Sequence, residues 1–136
     1  SLLETWAVNQ EVYQGACIAG FPNFYLVTGP NTGVATTSVV FMIEQQVHFI
    51  MQLIKIAGRE KLISVKQGAQ DRYNDVIHSA LKDTVWTSGS KSWYIREDGR
   101  ISTLYPYNGR MFRKQSKNVN FNDFNIVHNN DGQVTK

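Results

Sequence analysis

What the chain lacks narrows its function before anything it contains. It has one cysteine in 136 residues, Cys17, so no internal disulfide can form and a reducing, cytoplasmic setting is expected. Cys17 sits among Ala16, Ile18 and Ala19, where a small core residue is expected rather than a nucleophile. The three histidines, His48, His78 and His128, show no metal-ligand spacing, and no metal site is expected. No G-x-G-x-x-G occurs, which removes the usual cradle for a dinucleotide pyrophosphate. Gly15 to Gly20 has phosphate-loop spacing, but Phe21 and Pro22 stand where Lys and Ser/Thr are required. No basic leader, signal-type apolar stretch or anchor motif argues for export.

An excess of one charge is lacking too. Fourteen Lys and Arg against eleven Asp and Glu leave a formal charge of +3. The loose cluster Arg110, Arg113, Lys114 and Lys117 reads as a solvated face, so no nucleic-acid partner is expected. Asp71 and Asp75 likewise read as an exposed helix face rather than an acid–base pair.

What is present is a globular composition, 42% hydrophobic and 18% charged, organised around residues 21–58. Phe24 to Val27 reads as a short buried strand. Gly29-Pro30-Asn31-Thr32-Gly33 is a run of turn formers. Thr36, Thr37 or Ser38 is placed to cap a helix from Val39 to Ala57, free of Pro and Gly and stopped at Gly58. Glu44, His48, Gln52 and Lys55 fall on one stripe, and most other positions are apolar, which predicts burial on several sides. Glu44, Gln45, Gln46 and His48 interrupt every apolar run well short of about 18 residues, so no membrane span is expected.

The N-terminus of such a helix, with free N–H groups and the positive end of the macrodipole, suits negative charge: a phosphate, or the N1–C2=O edge of a flavin. A tight turn capped by its own hydroxyls would look the same in sequence.

Either side of this unit, Ser1 to Gln14 is weakly patterned and Gly20-Phe21-Pro22-Asn23 is a turn. The start at Ser1 suggests a piece of a longer chain. Leu62 to Val65 reads as a strand. Ala69 to Thr84 reads as an amphipathic helix with Ala69, Tyr73, Val76, Ile77, Ala80 and Leu81 on one face. Asp98-Gly99 between Ser92–Arg96 and Arg100–Tyr105 predicts a β-hairpin that sets Trp93 opposite Leu104. Tyr105 to Gly109 turns the chain, Phe121, Phe124, Ile126 and Val127 could supply a last strand, and the polar tail is expected to fray.

The stretches Gly20–Phe24, Gly29–Thr32 and Ser38–Val47 closely resemble the C-terminal region of class B flavin-dependent monooxygenases, the Baeyer–Villiger enzymes and their flavin-containing relatives. The resemblance continues through Ala69–Asn74, Thr84-Val85-Trp86, Gly89, Ser92-Trp93-Tyr94 and Asp98-Gly99-Arg100 to Asp123-Phe124. It implies a parent fold of two α/β dinucleotide-binding domains, for FAD and NADP, in which NADPH reduces FAD. The reduced flavin and O2 then deliver one oxygen atom to a ketone or a heteroatom. By that resemblance Gly29, Pro30, Asn31 and Thr32 form the turn beneath the flavin. Thr37, Ser38 and Val39 lie along the ring, with the Thr37 and Ser38 N–H groups toward its pyrimidine edge. Ala35 and Thr36 border the substrate pocket, where many relatives carry Gly-His. Trp86 matches a tryptophan loop that folds over NADP.

The expected architecture is therefore an α+β fragment: strand, long buried helix, second amphipathic helix, then β-hairpin. Residues 1–58 would hold the last strand and long helix of an FAD domain, 59–128 a C-terminal excursion, and 129–136 a frayed tail. No catalytic residue is expected in this segment, because the resemblance places the fingerprints and the active-site Arg upstream. FAD and NADP would belong to the parent, and the isolated piece would hold neither. Its partner would be the rest of its own chain, with self-association covering Val40, Ile43, Val47 and Ile50. The competing reading is a self-contained α+β interaction or small-ligand module without redox chemistry.

Overall fold

The computed structural model describes residues 1–8, 10–34, 37–83, 99 and 101–129. In chain order the elements are α1 (Leu2–Val8), α2 (Val39–Ala57), β1 (Lys61–Val65), α3 (Gln67–Lys82), α4 (Gly109–Ser116), a 3-10 turn (Phe121–Asp123) and β2 (Phe124–His128). β1 and β2 pair antiparallel from Lys61↔His128 to Val65↔Phe124. Their inward side chains, Ile63, Val65 and Phe124, enter the core, as the period of two requires. The other side of β1 is met by Asn23, whose backbone N–H donates to Ile63 O and whose Oδ1 accepts from Ile63 N–H, both at 2.9 Å. A turn residue thus completes the edge that a strand would otherwise occupy.

α2 runs over the predicted span, with Ser38 as N-cap and Gly58 past its end at φ +55°. Its buried residues, Met42, Gln46, Phe49, Ile50, Leu53 and Ala57, form one stripe at helical spacing. Within this chain the burial stops there: Val40 is 63% exposed and Val47 44%, two of the positions expected to need a cover. The physical reason is that only one face of α2 meets other parts of this chain. Ile50, expected on the uncovered side, belongs to the core instead. By length and composition alone α2 is long and apolar enough to cross a bilayer, a property that core helices of globular proteins share. Its buried stripe, however, packs against loops and sheet, as the core helix of a globular protein does.

Two hydrophobic clusters share α2 as their common wall. The first gathers Tyr13, Cys17, Phe49, Leu53, Ile63, Val65 and Phe124; the second gathers Met42, Ile77, Leu81, Leu104, Tyr105 and Phe112. Tyr73 packs against both. Cys17 is a core residue, 3% exposed, and burial pushes its thiol up to about 12.

Phe24 to Val27 is not a buried strand. Tyr25 makes a single bridge to Cys17, and Phe24 and Val27 lie 39% and 45% exposed. A parallel or central strand needs neighbours on its edges, and the described residues offer only the 13–17 loop there. On α3, Val76 is turned to solvent, and the amides of Gln70 and Asn74 take the inner face with Ala69, Ile77 and Leu81. α1 and α4 were not expected. Of the predicted hairpin, the first arm with Trp93 lies outside the described residues, as do the Trp86 loop before it and the tail beyond Asn129. Residues 101–105 of the second arm are described, and Leu104 there makes a parallel bridge to Gly33.

Candidate functional site

The Gly29–Gly33 turn is held from two sides. From α2, the Oε1 of Gln46, a fully buried residue, accepts from Thr28 N–H at 2.8 Å, and its Nε2 donates to Gly15 O at 3.0 Å. Gly15 and Gly29 cross so closely that a side chain on Gly29 would overlap the Gly15 carbonyl, and one on Gly15 would overlap Thr32. Only glycine permits that approach. From the other side, Ile101–Tyr105 lies along the turn: Gly33 N–H donates to Thr103 O and Tyr105 N–H to Gly33 O, closing a parallel bridge between Gly33 and Leu104.

Between these parts lies a cavity of about 390 Å³. Its first wall is Thr28, Gly29, Pro30, Thr32 and Gly33; Thr37, Val39 and Met42 form the mouth and first turn of α2; Ser102 and Thr103 face them. That volume lies within the range of small-molecule and cofactor pockets. No residue among this described lining carries an ionisable side chain. The lining therefore offers backbone amides, hydroxyls and apolar surface, which bind and orient but do not transfer protons at neutral pH.

The α2 terminus suits electron-rich groups. Its first turn holds no acidic residue, and Ser38 at the N-cap position makes no side-chain capping bond. The first N–H groups of a helix have no partner within it, and here no side chain from Ser38 takes their place.

Of the residues singled out from sequence, Gly29, Pro30, Thr32, Thr37 and Val39 are brought together on the cavity. Asn31 is buried behind them, its amide donating to the Ile101 and Leu104 carbonyls. Ser38 stands at the N-cap position of α2, just beside the mouth, and is exposed. Ala35, Thr36 and Trp86 lie outside the described residues. Sequence reasoning missed Gln46, Ser102 and Thr103. A lone glutamine on the apolar side of a helix was the available signal for Gln46. For Ser102 and Thr103 none existed, since their place depends on pairing across some seventy positions. Among described residues no group of three His, Cys, Asp or Glu could hold a metal.

No protein-family model matches the sequence. A Baeyer–Villiger monooxygenase of Pseudomonas aeruginosa is 41% identical over 109 residues, 77% of this chain and 21% of its own length. One from Streptomyces coelicolor is 32% identical over 98% of this chain and 27% of its own length. The fold is similar to that of cyclohexanone monooxygenase in a closed crystal structure, with TM-score 0.77 and 25% identity, covering 92% of this chain and 25% of that one. It is likewise similar to OTEMO crystallised with FAD and NADP, with TM-score 0.78 and 22% identity, covering 93% of this chain and 24% of that one. The chain thus spans between a fifth and a little over a quarter of the length of these relatives.

Proposed function

Because the chain belongs to the Baeyer–Villiger monooxygenases, as a segment 21–27% of the length of the relatives it matches, we propose that it is the C-terminal part of an FAD- and NADPH-dependent monooxygenase. In this reading the protein inserts one atom of O2 into a ketone or adds it to a heteroatom. Residues 1–58 complete its FAD domain and 59–128 form an excursion toward the NADP side. The observation that carries the proposal is the cavity at the mouth of α2, bounded by the turn that resembles the family's flavin turn.

The residues present fit a flavin. Gly29, Pro30 and Thr32 give a low surface for a flat ring, and Val39 supplies apolar contact at its edge. In this reading Thr37 and Ser38 offer N–H groups to the flavin at the helix mouth, which favours an edge that gains negative charge. Ala35 and Thr36 would border the substrate, and Trp86 would cover NADP. When bound, the flavin supplies the redox chemistry and the activation of oxygen. This chain's own contribution is a fixed, uncharged, partly enclosed wall that orients the ring and keeps water from one side of it. With no ionisable group in the described lining, the isolated segment is expected to be inactive.

The test is expression of the full-length parent. Purification with bound FAD, with NADPH consumption that rises on adding a ketone or thioether and yields an ester or sulfoxide, supports the reading. A parent that holds no flavin overturns it and leaves the interaction module as the function.

A further inference from the structure

Asn31 stands where the two walls of the cavity meet. Its sequence neighbours Pro30 and Thr32 line one wall. Its Nδ2 donates to the carbonyls of Ile101 and Leu104, each at 2.8 Å, and its backbone N–H donates to Ser102 O at 2.7 Å. Ile101 and Leu104 flank Ser102 and Thr103, the two residues of the opposite wall. One amide group therefore brackets that wall at both ends. Asn31 is 2% exposed and sits at φ +56°, a conformation asparagine tolerates better than other residues with a side chain. Few other side chains combine that backbone with two donors of this length.

We propose that Asn31 is a positioning residue that sets the spacing of Ser102 and Thr103 from the Gly29–Thr32 wall. It thereby sets the width of the pocket in which substrate meets the cofactor. The proposal rests on the monooxygenase reading above. Asn31 touches neither substrate nor ring; it acts through Ile101 and Leu104. A small displacement of one wall is enough to cost substrate orientation, because productive geometry is held to fractions of an ångström. The backbone bonds between Gly33 and the 103–105 stretch persist without the side chain, so the fold should survive its removal.

The experiment uses the full-length holoenzyme. Asn31→Gly keeps the positive φ and deletes the clip; Asn31→Asp keeps the shape and replaces the donors with acceptors facing carbonyls. Asn74→Ala is the matched control, since Asn74 also donates to two carbonyls, Val12 O and Gln70 O, while buried and absent from the cavity lining. Both Asn31 variants should retain FAD, raise KM for the ketone at least about fivefold, and consume more NADPH without product. Asn74→Ala should lower Tm and leave KM and coupling unchanged. Asn31 variants with wild-type KM and coupling overturn the proposal. So do equal shifts in Asn74→Ala, or loss of FAD from both Asn31 variants, which would place Asn31 in cofactor retention. Failure of the underlying reading shows elsewhere, in a wild-type parent that neither holds FAD nor consumes NADPH.

Discussion

The side-chain oxygen of Gln46 accepts the backbone N–H of Thr28 at 2.8 Å, joining the middle of α2 to the start of the cavity turn. Its nitrogen is used at the same time on Gly15 O. Replacing it with leucine keeps the bulk but leaves the buried Gly15 carbonyl and the partly buried Thr28 N–H without these partners. Each such orphan costs about 1–3 kcal/mol, so Gln46→Leu should lower stability by about 3 kcal/mol. Denaturant unfolding of wild type and variant measures this directly. A loss under about 1 kcal/mol would mean that water reaches Thr28 and Gly15.

Gly15 and Gly20 make a controlled pair. Both have positive φ, +65° and +84°. A side chain at Gly20 meets nothing within 4 Å, whereas one at Gly15 runs into Thr32 and the Gln46 amide. Gly20→Ala should cost only the backbone term, about 1–2 kcal/mol. Gly15→Ala adds overpacking of about 1–3 kcal/mol and should also deform the cavity, because Thr32 must give way. Similar Tm losses in the two variants would contradict the close packing of Gly15 against Thr32 and the Gln46 amide.

How far sequence carries depends on whether an element is specified locally. α2 was legible to its ends because Ser38, an uninterrupted helical stretch and Gly58 are local signals. β1 and β2 were legible from Leu62–Val65 and from Phe124, Ile126 and Val127, although Phe121, expected in that last strand, lies in the 3-10 turn before it. α4 was missed although Asn108 caps it, accepting from Met111 N–H at 3.0 Å; its basic residues drew attention as a charge cluster instead. The strand at Phe24–Val27 failed because strand formation depends on partners elsewhere in the chain. The buried amides were the deepest gap. Gln46, Gln70 and Asn74 read as polar helix positions, yet each satisfies loop backbone: Gln46 at Gly15 and Thr28, Gln70 at Ala19, Asn74 at Val12. The site was half legible: the turn and helix mouth came from their residues, the facing Ser102–Thr103 wall only from the tertiary pairing.

Alkaline pH should destabilise the chain. In the unfolded chain a thiol ionises near 9.0 and a phenol near 10.0. In the folded chain burial raises Cys17 and Tyr25 to about 12. Burial, with the Asp123 carboxylate that accepts the Tyr13 hydroxyl at 2.7 Å, raises Tyr13 further, and burial does the same for Tyr73 and Tyr105. Above pH 9 the unfolded state therefore binds fewer protons than the folded one, and stability falls as pH rises; below that these groups contribute no slope. The tyrosinate absorbance of Tyr13, Tyr25, Tyr73 and Tyr105 should appear together with loss of helical circular dichroism, in one transition. A gradual tyrosinate signal centred near pH 10 with the helix signal intact would refute the buried phenols.

The outer face of α2 decides how the isolated chain behaves. Val40, Val47, Met51 and Ile54 lie on one side of the helix, exposed by 63%, 44%, 43% and 44%. Val40, Val47 and Ile54 recur every seven residues, so they stack along one line. In the proposed parent this line is covered by the remainder of the chain. In isolation it meets water, and burial against a second copy recovers about 25 cal/mol for each Å² of apolar surface removed. The chain alone should therefore associate at micromolar concentration. Val47→Lys with Ile54→Lys places charges on the line without touching the buried stripe. That variant should sediment as a monomer with Tm within a few degrees of wild type. A monomeric wild type would remove the need for a cover, and a double variant that unfolds would mean that these two side chains support the core.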